Sequence, residues 1–187
     1  GAEGVWVSVF TAISAFCNAG FDLFGRFGAY SSLVPYVNNY YVQAVIMFMI
    51  MAGGLGFMVW VELAEYRKKR RLSLHAKVVL QFSVIFWVGG AVLLALLEWS
   101  NPRTMGGLSV PGKIMAALFQ SVSTRTAGMN TIDLAACSPI SKLLMSVLQF
   151  IGAAPGSTGG GVKVTTFAVL ILTIRSVAQG RDDCVIG

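Results

Sequence analysis

Two tetrapeptides combine residue types from which a site for a bare cation can be built. Asn18-Ala19-Gly20-Phe21 and Thr126-Ala127-Gly128-Met129 each read polar, alanine, glycine, large apolar. Each is followed by a polar residue, Asp22 or Asn130, and the two glycines lie 108 residues apart. Glycine lets the main chain take angles closed to other residues. An extended segment containing one can turn its carbonyl oxygens to one side, and rings of such carbonyls replace the hydration shell of a cation. A single copy would read as a helix C-cap ending in glycine; two copies at matching places favour the ion site. A third candidate is Gly152-Ala153-Ala154-Pro155-Gly156-Ser157-Thr158-Gly159-Gly160-Gly161. It is similar to a phosphate-binding loop, but Val162 stands where that motif needs lysine, and the lysine comes one residue late as Lys163. No acid pair, nucleophile triad or metal cluster is present, so the chain is not expected to be an enzyme. Cys17, Cys137 and Cys184 are odd in number and lack metal spacing. His75 reads as an interfacial residue at a helix start.

The elements that position these motifs must sit in lipid. The chain is 56% apolar and only 12% charged, with a mean hydropathy of +0.73. A soluble domain carries roughly 25% charge. The expected class is an all-α membrane protein built of helix–pore loop–helix repeats, with no covalent cofactor. Tyr40 to Leu63 is expected to be one spanning helix and Ala76 to Leu97 another, joined by a cytoplasmic loop holding Arg67-Lys68-Lys69-Arg70-Arg71. Val5 to Cys17 and Gly112 to Thr124 are too short to cross about 30 Å of hydrocarbon and read as re-entrant helices. Ile140 to Ile151 and Val162 to Val177 are both apolar and helical in pattern, with the glycine-rich stretch between them. Irregular backbone at membrane depth is tolerated only where it is buried or lines a watery cavity. The last span is therefore expected to be broken, with an intramembrane loop over 152–161.

The repeat organises the chain. Residues 1–65 form a pore helix, filter and inner helix, and 66–75 a basic cytoplasmic loop. Residues 76–187 hold an outer helix (76–99), a pore helix (112–124), a filter (125–130) and a broken inner helix (139–179). The net charge of +6 concentrates in the run from Arg67 to Arg71 and in a weaker region from Arg175 to Arg181. Both flank apolar spans, so the positive-inside rule accounts for them and nucleic acid is not an expected partner. Both chain ends read as cuts in a longer protein.

On the stretches 14–21, 125–130 and 155–163, the sequence resembles the Trk/Ktr/HKT superfamily of potassium transporters. The tail from Val177 to Asp183 leans toward the bacterial Ktr branch. The resemblance covers essentially the whole chain. It implies four repeats around one pore, of which this chain holds most of the second and the third. It further implies potassium at the carbonyls of Asn18, Gly20, Thr126 and Gly128, with Ala19, Phe21, Ala127 and Met129 completing the filter. Sodium is implied as an activator. A homodimer, a cytoplasmic ring of nucleotide-binding regulatory subunits and the bacterial plasma membrane are the implied surroundings. Met129 departs from the family's usual phenylalanine. The alternatives are a sodium-conducting member of the same superfamily and, in a different class, a non-conducting membrane scaffold or receptor.

Several roles stay open at this level. Arg125 is expected to be structural, bonding pore-loop carbonyls or an acid such as Asp133. Asp22 and Asp133 either enrich cations at the outer mouth or are ordinary turn residues. Gly156, Ser157, Thr158, Gly159, Gly160 and Gly161 are the candidate gate. Lys163 either anchors that loop, repels cations, or snorkels toward water.

Overall fold

The computed structural model describes residues 1–28 and 31–179. Cys184 and the residues of the tail from Gly180 onward lie outside the described residues. Among the described residues, seven α-helices follow one another: α1 (Ala2–Phe16), α2 (Tyr40–Gly54), α3 (Phe57–Lys69), α4 (Leu74–Glu98), α5 (Val110–Thr124), α6 (Pro139–Phe150) and α7 (Val164–Ala178). Short 3-10 turns at Phe24–Phe27 and Val34–Tyr36 join α1 to α2. The starts of α2, α4, α5 and α6 are set locally. Asn39, Ser73, Ser109 and Ser138 each accept a hydrogen bond from a main-chain N–H in the first turn. Pro111 and Pro139 occupy first-turn positions that need no N–H partner.

Helix α4 has 25 residues with a mean hydropathy of 2.2, enough to cross a bilayer alone. Its residues Val84, Ile85, Val88, Val92 and Leu96 are exposed, a face suited to lipid rather than water. Around it pack α5, α6, α7 and α3, while α1 packs on α2 and α2 on α5. The short helices α1 and α5 thus both pack on α2. One core cluster joins Ala15 of α1, Ile46, Met47 and Ile50 of α2, and Phe119 and Val122 of α5 with Ala127 and Met129.

Two expectations need correction. Tyr40 to Leu63 is not one helix: α2 and α3 meet at an angle of 100° across Leu55 and Gly56. The cause is backbone chemistry. Gly56 has φ +86°, and a side chain there would sit 2.5 Å from the Pro155 carbonyl oxygen. A side chain on Gly53 would collide with the Phe16 carbonyl oxygen and stand 2.7 Å from Thr158 Oγ1. The main-chain groups freed by the bend are taken up from a distance. Gly54 O accepts from Ala154 N (3.0 Å), Gly53 O from Thr158 N (3.2 Å), and Phe57 N donates to Gly156 O (3.0 Å). The basic connection is also shorter than 66–75. Helix α3 carries Arg67, Lys68 and Lys69 as its last turn, so only Arg70 to Ser73 link it to α4. A Lys69–Glu65 ion pair of 2.6 Å supports that turn, and Glu62 receives both Ser73 N (2.8 Å) and Ser73 Oγ (2.7 Å).

At the other end of α4, Glu98 is completely buried. It accepts from Ser141 Oγ (2.5 Å), Thr104 Oγ1 (2.7 Å), Asn101 Nδ2 (2.7 Å) and Ser138 N (2.8 Å). One carboxylate therefore ties α4, the following loop and the start of α6 together. Glu98→Ala strands several donors, each costing about 1–3 kcal/mol when buried unpaired. A clear drop in the thermal midpoint of the full-length protein is the expected result, with Glu98→Gln intermediate; an unchanged midpoint for Glu98→Ala contradicts it.

Candidate functional site

Each tetrapeptide follows a short helix, and a serine from that helix holds it. Ser14 Oγ donates to Phe21 O (2.6 Å), and Ser123 Oγ donates to Met129 O (2.5 Å). Ser14 O accepts from Ala19 N (2.9 Å), while Ser123 O accepts from Ala127 N (3.0 Å) and Gly128 N (2.9 Å). The serine loop thus closes both sides of its own segment. Gly20 and Gly128 then take nearly the same left-handed conformation, at φ +74° and +77°. Ser14 and Ser123 were not singled out from sequence. Their signal was a serine six or seven residues before the large apolar residue in both copies.

The two segments lie against each other. A side chain on Gly20 would overlap the Ala127 carbonyl oxygen. Thr126 Oγ1 donates to Asn18 Oδ1 (2.5 Å) across the junction. Among the described residues, the main-chain carbonyls of Asn18, Ala19, Gly20, Thr126, Ala127 and Gly128 accept no hydrogen bond. Polar main-chain groups need partners, and this run of six can offer its oxygens to a cation. The copies differ beyond the glycine: Met129 is 1% exposed and packed in the core cluster, whereas Phe21 is 69% exposed.

The turn acids follow local rules. Asp22 Oδ1 accepts from Phe24 N (2.9 Å) and Asp133 Oδ1 from Ala135 N (2.9 Å), the geometry of ordinary Asx turns. Arg125 does not use Asp133. Its guanidinium is buried, donating to Gly152 O (2.6 Å) and Ile151 O (3.4 Å), with Phe86 and Trp87 rings 5.4 and 6.0 Å away. It therefore clamps the first residues of the glycine-rich stretch.

That stretch leaves α6 at Phe150 and re-enters helix at Val164. It folds back on itself, with Gly152 N to Val162 O (2.9 Å), Ala153 N to Gly160 O (3.1 Å) and Val162 N to Phe150 O (3.1 Å). A side chain on Gly152 would strike Gly160 O, and Gly156 and Gly161 have φ +66° and +79°. Lys163 Nζ donates to Gly159 O (2.7 Å), a bond from the residue that follows the stretch back onto it. Gly159 packs directly on Thr126, and Thr158 reaches Asn18 with a 2.9 Å bond. The three motifs, far apart in sequence, form one constellation.

The described residues are helical with connecting loops, and comparison with known proteins gives the class: cation-transport proteins. The sequence profile of the TrkH family, described as "Cation transport protein", matches residues 1–184. The chain belongs to that family. It is 37% identical over 180 residues to the potassium/sodium uptake protein NtpJ of Enterococcus hirae, covering 96% of this chain and 39% of that protein. It is 42% identical over 184 residues to Ktr system potassium uptake protein B of Vibrio alginolyticus, covering 97% of this chain and 39% of that one. The Bacillus subtilis protein of the same name is 36% identical, with 99% of this chain and 40% of that one covered. In fold, the chain is similar to the potassium transporter TrkH from Vibrio parahaemolyticus. The TM-score is 0.70 at 22% identity, over 93% of this chain and 36% of that structure. The chain therefore spans about two fifths of these relatives' length. It is part of a multi-pass protein of the bacterial plasma membrane.

Proposed function

We propose that this chain supplies two of the filter segments of a potassium-uptake pore. The observation that carries the proposal is the pairing of two segments, each with a left-handed glycine, whose six carbonyls receive no hydrogen bond from a donor among the described residues. Carbonyls of Asn18, Gly20, Thr126 and Gly128 would take the place of water around the ion. Two segments leave a ring incomplete, and the relatives are more than twice as long, so the complete pore needs the full-length protein. The relatives' names favour potassium; the name of the Enterococcus relative also includes sodium, which keeps sodium as a second transported ion or an activator. The name "Ktr system" of two relatives supports partnership with further components; the assembly proposed is a homodimer of the full-length subunit on a cytoplasmic ring of nucleotide-binding regulatory subunits.

The loop over 152–161 acts as the gate of this pore and breaks the last span inside the membrane. Its contacts with Asn18 and Thr126 put it against both filter segments, and its glycines permit rearrangement. The full-length protein is expected to restore growth of an uptake-deficient bacterium at low potassium. Deleting residues 156–161 is expected to raise flux. A protein present in the membrane that fails to restore growth points instead to a scaffold or receptor. Unchanged flux on deletion removes the gate.

A further inference from the structure

We propose that Asn18 is a positioning residue whose side chain latches the gate loop to both filter segments, so that the filter holds the loop shut. The proposal rests on the pore and gate assignments above. The hydrogen-bond directions carry it. Thr158 Oγ1 donates its single proton to Phe16 O (2.8 Å), so it can only accept from Asn18 Nδ2 (2.9 Å). That requires Asn18 to present its amide nitrogen to the loop and its oxygen to the other side. There, Thr126 Oγ1 donates to Asn18 Oδ1 (2.5 Å), which sets that orientation. The amide nitrogen also lies 3.4 Å from Ile50 O and 3.4 Å from Phe16 O. One side chain thus touches the end of α1, the second segment, α2 and the loop.

Asparagine suits the position twice over. Asn18 has φ +51°, a conformation that asparagine tolerates better than most residues. Its amide is the side chain that can accept on one side while donating on the other. An aspartate would keep the acceptor toward Thr126 and lose the donor toward Thr158. The chain Thr126–Asn18–Thr158 is directional: remove the hydroxyl at one end and the amide at the centre is free to turn away from the other. Thr126 therefore acts on the loop through Asn18, although no hydrogen bond joins Thr126 to the loop.

The test uses full-length protein in the uptake-deficient strain and reads initial potassium uptake per transporter in the membrane. Thr158→Val keeps the shape and removes the hydroxyl, and should raise basal flux about fivefold, the effect of one lost hydrogen bond on a closed–open balance. Thr126→Val should raise it by a similar factor. Thr158→Ser and Thr126→Ser, which restore the hydroxyl, should return flux to the parent level. The double variant should fall short of the product of the two effects, because both act through one amide. Thr158→Ala, smaller than the native side chain, guards against a packing defect of valine and should match Thr158→Val. Parent-level flux in Thr158→Val, Thr158→Ala and Thr126→Val, with increased flux on deleting 156–161, overturns the latch and leaves the gate standing. Parent-level flux in the deletion as well removes both. Serine variants that behave like the valine variants also overturn the latch, since the hydroxyl would then be irrelevant.

Discussion

Gly20→Ala is expected to reduce potassium uptake more than a hundredfold, while Gly128→Ala costs only about tenfold. Both glycines have left-handed φ, at +74° and +77°, and a non-glycine residue pays roughly 1–2 kcal/mol there. About 1.4 kcal/mol is a factor of ten in the population of the correct filter. The positions differ in their surroundings. An alanine methyl at 128 meets nothing within 4 Å, whereas at 20 it overlaps the Ala127 carbonyl oxygen. Gly20→Ala must therefore push aside one of the candidate ion ligands in the neighbouring segment. Initial uptake rates, normalised to transporter in the membrane, compare the two variants. Equal losses would show that the two segments do not touch in the working pore.

Arg125→Leu is expected to have the second-largest effect. Arg125 is 5% exposed and donates to both Ile151 O and Gly152 O. Leucine leaves two buried carbonyls unpaired, at about 1–3 kcal/mol each, and removes the charge stacked near Phe86 and Trp87. The start of the glycine-rich stretch then loses its clamp, and folded protein should fall to a small fraction of the parent yield. Arg125→Lys should recover only part, since an ammonium lacks the planar fork that reaches two carbonyls at once. Lys163→Met, which forfeits one half-buried bond to Gly159 O, should be mild by comparison. Yield and monodispersity of the purified full-length variants rank the three. A mild Arg125→Leu would mean that these carbonyls find other partners in the complete protein.

The candidate site was largely legible because its parts are local. Polar–Ala–Gly–apolar after a short apolar helix occurs twice, and each copy is shaped by its own Ser14 or Ser123 and its own glycine. The starts of α4 and α5, expected at Ala76 and Gly112, lie two residues earlier, at Leu74 and Val110, where the capping serines Ser73 and Ser109 act on the turn that follows them. The bend between α2 and α3 was not legible. Tyr40 to Leu63 is apolar but for Gln43 and Glu62, and a glycine inside such a run is compatible with helix. What favours the bend comes from residues about a hundred positions later, where Ala154, Gly156 and Thr158 take up the freed main-chain groups. The partner of Arg125 was likewise hidden, because carbonyls occur at every residue and only proximity selects Ile151 and Gly152.

Composition, glycine placement and the 108-residue offset were enough on their own to mark an apolar, membrane-suited chain with two matching glycine-containing segments. These are properties of solvent preference and backbone angles, which a residue carries wherever it stands. Tertiary structure alone decided that the turns meet, that Asn18 faces Thr158, that Phe21 is exposed while Met129 is buried, and that two helix breaks satisfy each other. Those outcomes depend on which unpaired oxygen or nitrogen comes within about 3 Å of another, and that distance is set only once distant helices pack.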